Sequence, residues 1–114
     1  MRQILTSDKV HLEALHAIEN FNKTIVLDVH SAIRNNDWVV VGMAQNPIVK
    51  NAKKFLLEKN INFHYMEYGS YFSAWKLRLA IKLWSGWPTF PQVFHKGMLV
   101  GGFDELKKYH KNLA

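Results

Sequence analysis

The feature that most constrains the fold is a buried strand followed at once by a capped helix and a second strand. Residues 38–41 form a continuous apolar and β-branched run, which is typical of a strand covered on both faces of a sheet. Asn46 and Pro47 then make a strong helix start, because asparagine caps the first turn and proline there loses no hydrogen bond. Residues 61–66 alternate between apolar and polar, so the sequence predicts a β-α-β unit with a central first strand.

Helical and extended segments surround this unit. Apolar spacing predicts helices over 8–21 and 73–84 and a last helix after Gly102, whereas residues 24–33 fit both a short strand and one face of a helix. The segments 92–95 and 98–100 are separated by Lys-Gly, which predicts a β-hairpin. The predicted order is β-α-β-α-β-β-α after an N-terminal helical part, and it indicates an α/β fold.

The helical spacing also predicts which side chains face the core. Ser7 or Asp8 is expected to cap the first helix, and Gly86 is expected to end the helix over 73–84. The helix that begins at Pro47 is expected to turn an apolar set inward, namely Ile48, Ala52, Phe55 and Leu56. The helix over 73–84 has an apolar side with Trp75, Leu79 and Leu83, and a basic side with Lys76, Arg78 and Lys82.

Composition limits the chemistry that is open to the chain. Its 114 residues suit one domain, read as an N-terminal helical extension over 1–36 and a folded part over 37–114. The sequence has no cysteine, which excludes disulfides, zinc–thiolate sites, protein-thiolate ligation of iron–sulfur clusters and cysteine nucleophiles. The net charge of +6 favours acidic partners or serves solubility. No apolar run reaches the length of about 20 residues that a membrane span needs, so a cytoplasmic location is expected.

Two linked motifs in the C-terminal half carry a resemblance to a known family. The first is Gly-Trp-Pro-Thr-Phe-Pro-Gln-Val-Phe over 86–94, and the second is Gly-Gly-Phe-Asp-Glu-Leu over 101–106. Their order and spacing resemble the glutaredoxin family, especially its single-cysteine members. The resemblance runs from about residue 38 to the C-terminus. It implies a thioredoxin fold, in which a four-stranded mixed sheet is flanked by helices.

The same resemblance implies a groove for glutathione or another extended thiol substrate. Pro91 would be the cis-proline of the family, and the backbone of Phe90 before it would bond the substrate, with Thr89 in the same set of site residues. Arg78 lies where glutaredoxins carry a basic residue for the glycine carboxylate of glutathione. The residues alone also permit a plainer interpretation, in which the prolines delimit an edge strand and Arg78 lies on a solvated helix face.

The second motif would bind the other end of glutathione. Gly101 and Gly102 would form the tight turn of the family, and Phe103 and Asp104 would begin the last helix, where backbone N–H groups receive the γ-glutamyl part. Helix N-termini bind carboxylates, and glycine permits close approach of the backbone. Asp104 also fits a purely structural part as a cap of its own helix.

The departure from the family lies at the redox site. Glutaredoxins place a cysteine at the N-cap of the helix after the first core strand, and here Asn46 occupies that position, with Val49 at the second-cysteine position. An asparagine amide cannot form a mixed disulfide. The basic residue that usually precedes the cysteine is also missing, because residues 42–45 read Gly-Met-Ala-Gln. No catalytic residue, required cofactor or iron–sulfur cluster is therefore expected, and glutathione is expected to be a weak ligand.

Other sites have less support in the sequence. The six histidines show no spacing typical of metal ligands. Aromatic residues are interleaved with basic ones over 65–87, which is compatible with single-stranded nucleic acid but is explained equally by a core or a groove wall. No phosphate loop, nucleophile elbow or pair of catalytic carboxylates is present.

Three hypotheses of different class follow. The first is a non-catalytic glutaredoxin-like module that binds glutathione or a peptide in the groove. The second is a glutathione-dependent enzyme in which Asn46 donates a hydrogen bond in place of a thiol. The third is a basic interaction module whose N-terminal helices offer a surface to a protein partner.

Overall fold

The computed structural model describes residues 5–71 and 73–113, and it places them in one α/β fold. After a short 3-10 turn over Ser7–Lys9, the elements are α1 (Leu12–Asn20), α2 (Lys23–Asn35), β1 (Trp38–Gly42), α3 (Pro47–Glu58), β2 (His64–Glu67), α4 (Trp75–Ser85), β3 (Gln92–His95), β4 (Met98–Gly101) and α5 (Phe103–Lys111). None of the helices in the described part is long and apolar enough to cross a membrane.

The four strands form one mixed sheet in the order β2-β1-β3-β4. Strand β1 pairs parallel with β2 and antiparallel with β3, and β3 pairs antiparallel with β4. All five residues of β1 are buried, as the continuous apolar run predicts for a central strand. The expected four-stranded mixed sheet is confirmed.

Helices cover both faces of the sheet. Alternate residues of β1 point to opposite faces, so Val39 and Val41 contribute to one apolar cluster and Val40 to the other. The first cluster lies mainly under α2 and α4 and includes Val29, Ile33, Ile81 and Phe94. The second lies under α3 and α5 and includes Ala52, Leu56, Val93 and Leu106.

The structure resolves one question that the sequence left open and corrects two expectations about helices. Residues 24–33 belong to helix α2, because Val29 and Ile33 pack in the core one helical turn apart. Helix α1 is capped by the side chain of His11, not by Ser7 or Asp8. Ile48 is half exposed; Val49, the next residue, takes the inward position in the first turn of α3.

Strand and helix ends differ from the expected bounds by a few residues. From residue 61 to residue 65, partly buried and exposed side chains alternate as predicted. Strand β2 nevertheless begins only at His64, where pairing with Val39 starts. Helix α4 begins at Trp75, after Ala74 in a left-handed conformation with φ of 59°. Gly86, with φ of 80°, ends α4 as predicted. The division of the chain at residue 36 stays a prediction.

Candidate functional site

A cleft lies where β1 ends and β3 begins, between the start of α3, the inner side of α4 and the start of α5. Its volume is about 560 Å³. The lining comprises Met43, Asn46, Ile48, Tyr71, Arg78, Lys82, Trp87, Pro88, Thr89, Phe90, Pro91, Gly102, Phe103, Asp104 and Glu105. Of the nine ligand-binding residues expected from the sequence, all but Gly101 line this cleft. Gly101 is the buried last residue of β4, next to the lining.

Asn46 caps helix α3 and is one of the residues that line the cleft. Its side-chain oxygen Oδ1 accepts hydrogen bonds from the backbone N–H groups of Ile48 at 2.9 Å and Val49 at 3.0 Å. These bonds fix which half of the amide is the acceptor, so Nδ2 is left as a donor, and no acceptor for it is found among the described residues. The N-terminus of α3 is therefore already satisfied by a neutral side chain.

Val49 has no reactive group and is not among the residues that line the cleft. It is almost fully buried in the apolar cluster beneath β1, where its Cγ1 would lie 2.6 Å from a Cβ placed on Gly42. Gly42 therefore allows the end of β1 to pass close to the first turn of α3. This close packing holds Asn46 at the floor of the cleft.

Arg78 is buried on the inner side of α4, which excludes a solvated helix face. Its Nη1 donates to the backbone carbonyls of Tyr68, at 3.1 Å, and Ser73, at 2.5 Å. No carboxylate pairs with this guanidinium among the described residues. Because a guanidinium carries five N–H donors, Nε and Nη2 keep donors for an anion in the cleft.

Lys82 lies one turn after Arg78 and adds a second cation to the same wall. Its Nζ is 5.6 Å from the centre of the Phe90 ring. The spacing of four residues places the two basic side chains on one helix face, so the sequence contained the information needed to include Lys82. Tyr71 also lines the cleft, from an irregular loop for which apolar spacing makes no prediction.

The segment before β3 forms the opposite wall. The peptide bond between Phe90 and Pro91 is cis. Gln92 is fully buried, and its Nε2 donates to the backbone carbonyl of Trp87 at 3.0 Å, which ties the ends of this segment together. The Phe90 side chain is buried in the core while Thr89 is exposed. The backbone of Phe90 is thus held at the cleft by packing on one side and a hydrogen bond on the other.

The start of α5 closes the far end of the cleft. The backbone N–H of Gly102 donates to Oε1 of Glu105 at 3.1 Å, which caps the helix. Gly101 has φ of 123°, and a Cβ there would lie 2.8 Å from Cβ of Glu105, so both conformation and space require glycine. Phe103 and Asp104 begin the helix, and their N–H groups have no acceptor within it.

The two ends of the cleft differ in charge. Arg78 and Lys82 make the α4 wall basic, whereas Asp104 and Glu105 make the α5 end acidic. Asp104 also forms an exposed ion pair with Lys107 at 3.5 Å, which contributes little to stability. Among the described residues, no group of His, Cys, Asp and Glu side chains is arranged to hold a metal ion. The cleft is therefore suited to an extended ligand with an anionic group at one end and a cationic group at the other.

Comparisons with known proteins agree with this geometry. No protein-family model matches the chain. A glutaredoxin-like protein from Dictyostelium discoideum is 46% identical over 107 residues, which cover 94% of this chain and 85% of that protein. The chloroplastic bifunctional monothiol glutaredoxin-S16 of Arabidopsis thaliana is 56% identical over 36 residues, covering 32% of this chain and 12% of that protein.

Solved structures share the fold at low identity. A mutated buckwheat glutaredoxin superposes with a TM-score of 0.72 at 21% identity, covering 82% of this chain and 86% of that chain. The buckwheat glutaredoxin–glutathione complex superposes with a TM-score of 0.69 at 20% identity, with the same coverage of 82% and 86%. The thioredoxin fold expected from the sequence is confirmed.

Proposed function

Because this chain belongs to the glutaredoxin family and contains no cysteine, we propose that it is a non-catalytic member whose cleft binds glutathione, or an extended peptide segment, without a covalent bond. The observation that carries the proposal is the cleft itself. Eight residues expected to bind ligand line one cavity, although they come from α3, α4, the segment before β3 and the start of α5.

The charges of the cleft match those of glutathione. The glycine carboxylate of the ligand would pair with the free N–H groups of Arg78, a charge-assisted bond of the stronger kind. The γ-glutamyl end carries both a carboxylate and an ammonium group. In this proposal the N–H groups of Phe103 and Asp104 receive that carboxylate, and the Asp104 side chain faces the ammonium group.

Binding would be weak because two contacts of a redox glutaredoxin are absent. Asn46 supplies no thiolate, and Gln45 and its neighbours supply no cation before it. Each lost charge-assisted contact costs about 1.5–3 kcal/mol, which moves the expected dissociation constant into the millimolar range.

One observation supports a second function, an enzyme that activates glutathione without a cysteine. Asn46 lines the cleft, and its Nδ2 is a donor with no acceptor among the described residues, so this donor is available to bond the sulfur of a bound thiol. A thiol that accepts a hydrogen bond ionises more readily. A fall in the pKa of the glutathione thiol on binding, lost in Asn46→Ala, would favour this function over simple binding.

Ligand-observed NMR with glutathione and γ-glutamylcysteine tests the proposal. The second ligand lacks the glycine residue, so its terminal cysteine carboxylate ends one residue short of Arg78. Arg78→Lys should therefore weaken glutathione about tenfold and change γ-glutamylcysteine much less. Asp104→Ala should weaken both ligands. Lys54→Ala serves as a control, because Lys54 is an exposed residue of α3 outside the cleft lining.

The melting temperature of each variant should first be shown to equal that of the original protein. This control is needed because Arg78 also donates hydrogen bonds to the backbone carbonyls of Tyr68 and Ser73. Equal loss of both ligands in Arg78→Lys would contradict the assignment of the glycine carboxylate. The absence of saturable binding by either ligand would overturn the proposed function.

A further inference from the structure

Helix α4 exposes an apolar stripe on the side that faces solvent. Trp75, Leu79 and Leu83 are 59%, 36% and 54% exposed, and their spacing of four residues places them along one face of the helix. The opposite face is accounted for by Ala80 and Ile81, which are buried in the core. An ordinary surface helix carries polar residues on its outer side, so this stripe has the composition of an interface.

A groove beside the stripe enlarges the apolar surface. It has a volume of about 160 Å³ and lies between α1, α2 and α4. The lining comprises Ile18, Glu19, Phe21, Val26, Ala80, Leu83 and Trp84. Helix α1 buries none of its described side chains, and Ile18 is 50% exposed, so this side of the groove is open to a further element.

The charges around the stripe indicate what kind of element that is. At 100° per residue, Lys76 lies on one flank of the stripe and Lys82 on the other. Helix α4 contains no acidic residue, and neither lysine forms an ion pair within the described residues. Glu19 is the acid in the groove lining, and it lies on α1, across the groove from α4. An apolar ridge with a cation on each flank complements an amphipathic helix with acidic flanks.

We propose that the outer face of α4 docks an acidic amphipathic helix of a partner protein. The stripe is about 12 Å long from Trp75 to Leu83, which matches a little over two turns of a partner helix. A second copy of this chain is a poor occupant, since two α4 helices would bring lysines together on both flanks. Trp75, Leu79, Leu83 and Lys76 lie outside the cleft lining, and Lys82 alone belongs to both surfaces. The proposal does not depend on the function of the cleft.

A pair of synthetic peptides tests the charge and the stripe together. The probe is an amphipathic helical peptide of about 18 residues with leucines on one face and glutamates on both flanks, and the control peptide has lysines in place of the glutamates. In a chemical-shift titration of the labelled protein, the acidic peptide should shift the signals of Trp75, Leu79 and Leu83. The lysine peptide should bind at least about tenfold more weakly.

Three variants of the protein make the test specific. Leu79→Ser should weaken the acidic peptide at least about tenfold, whereas Leu57→Ser, at a leucine of α3 that is 66% exposed, should leave it unchanged. Lys76→Glu should weaken the acidic peptide and strengthen the lysine peptide. Both leucines are exposed, so these variants are expected to fold.

Four results would overturn the proposal. They are equal affinity for the two peptides, no binding of either, self-association of the protein that Leu79→Ser abolishes, and binding to anionic vesicles that Leu79→Ser abolishes without any preference between the peptides. The last two would assign the stripe to a second copy and to a membrane surface.

Discussion

Asn46 stands at the position of the helix α3 N-terminus where partial positive charge is concentrated. In a redox glutaredoxin that charge stabilises a thiolate. Here Oδ1 of Asn46 accepts hydrogen bonds from the N–H groups of Ile48 and Val49, so the same backbone donors bond to a neutral amide. One side chain thus retains the helix cap and removes the nucleophile.

Restoring the sulfur tests this account of Asn46. In Asn46→Cys, the thiol pKa should lie below the ordinary value of about 8.5, because the N–H groups of Ile48 and Val49 would stabilise the thiolate. The pH dependence of alkylation by iodoacetamide measures this pKa. Leu57→Cys provides the control, as an exposed position near the other end of α3. Equal pKa values for the two thiols would contradict the placement of Asn46 at the helix N-terminus.

His95 is a buried titratable residue at the end of the sheet away from the cleft. Its Nδ1 lies 2.7 Å from the hydroxyl of Tyr109, and its ring stacks on Trp38 with 3.9 Å between centroids. Burial lowers the pKa of His95, and Lys96 lowers it further, while Asp37 acts in the opposite direction. The folded protein therefore resists protonation at this site.

This lowered pKa predicts how stability depends on pH. As pH falls below about 6.5, an unfolded histidine takes up a proton before His95 in the folded protein does, so the free energy of unfolding decreases. The decrease should stop below the lowered pKa of the folded state. Urea unfolding at several pH values should show a smaller decrease in His95→Phe than in the original protein. An identical slope in His95→Phe would refute the prediction.

At the scale of elements, the N-cap of α3 contributes to stability and also lines the cleft, because both parts are played by Asn46. Replacing the cap by alanine leaves two backbone N–H groups without their acceptor. Asn46→Ala should lower the free energy of unfolding by about 1 kcal/mol, whereas Asn46→Ser should retain most of it. Denaturant titration distinguishes the two. An equal loss in both variants would mean that packing of Asn46, not its hydrogen bonds, stabilises the helix.

Elements with a strong local signal were predictable from the sequence. Short local patterns were enough to predict three of them: the strand at 38–41, the start of α3 at Asn-Pro, and the hairpin at Lys-Gly. Residues 24–33 did not, since β-branched side chains suit both a strand and a helix. Packing against β1 decides in favour of a helix, and this contact between distant segments cannot be predicted from the spacing of apolar residues.

The spacing of the two motifs predicted part of the site. The parts that depend on contacts between distant segments could not be predicted in this way. The spacing of the two motifs placed Phe90 and Asp104 in the cleft. Helical spacing grouped Arg78 with two lysines on one side of α4, whereas the family resemblance placed it in the groove. The structure has it in the cleft lining, buried against the carbonyls of the loop before α4. Ile48 faces the cleft because Asn46 caps the first turn and orients Val49 to the core.

At the scale of the whole molecule, the fold of the family persists without its redox group. The chain should show no oxidoreductase turnover with glutathione and a mixed-disulfide substrate, because it contains no sulfur nucleophile. A coupled assay against heat-killed protein measures this directly. Turnover above that control would contradict the absence of thiol chemistry.

The most direct test of the central claim, that the cleft still recognises glutathione, is a titration of the labelled protein followed by amide chemical shifts. The account predicts saturable shifts at Phe90, Gly102, Phe103 and Asp104, with a dissociation constant in the millimolar range. Shifts restricted to other surfaces, or none with glutathione at about 10 mM, ten times a 1 mM dissociation constant, would show that the cleft no longer binds this ligand.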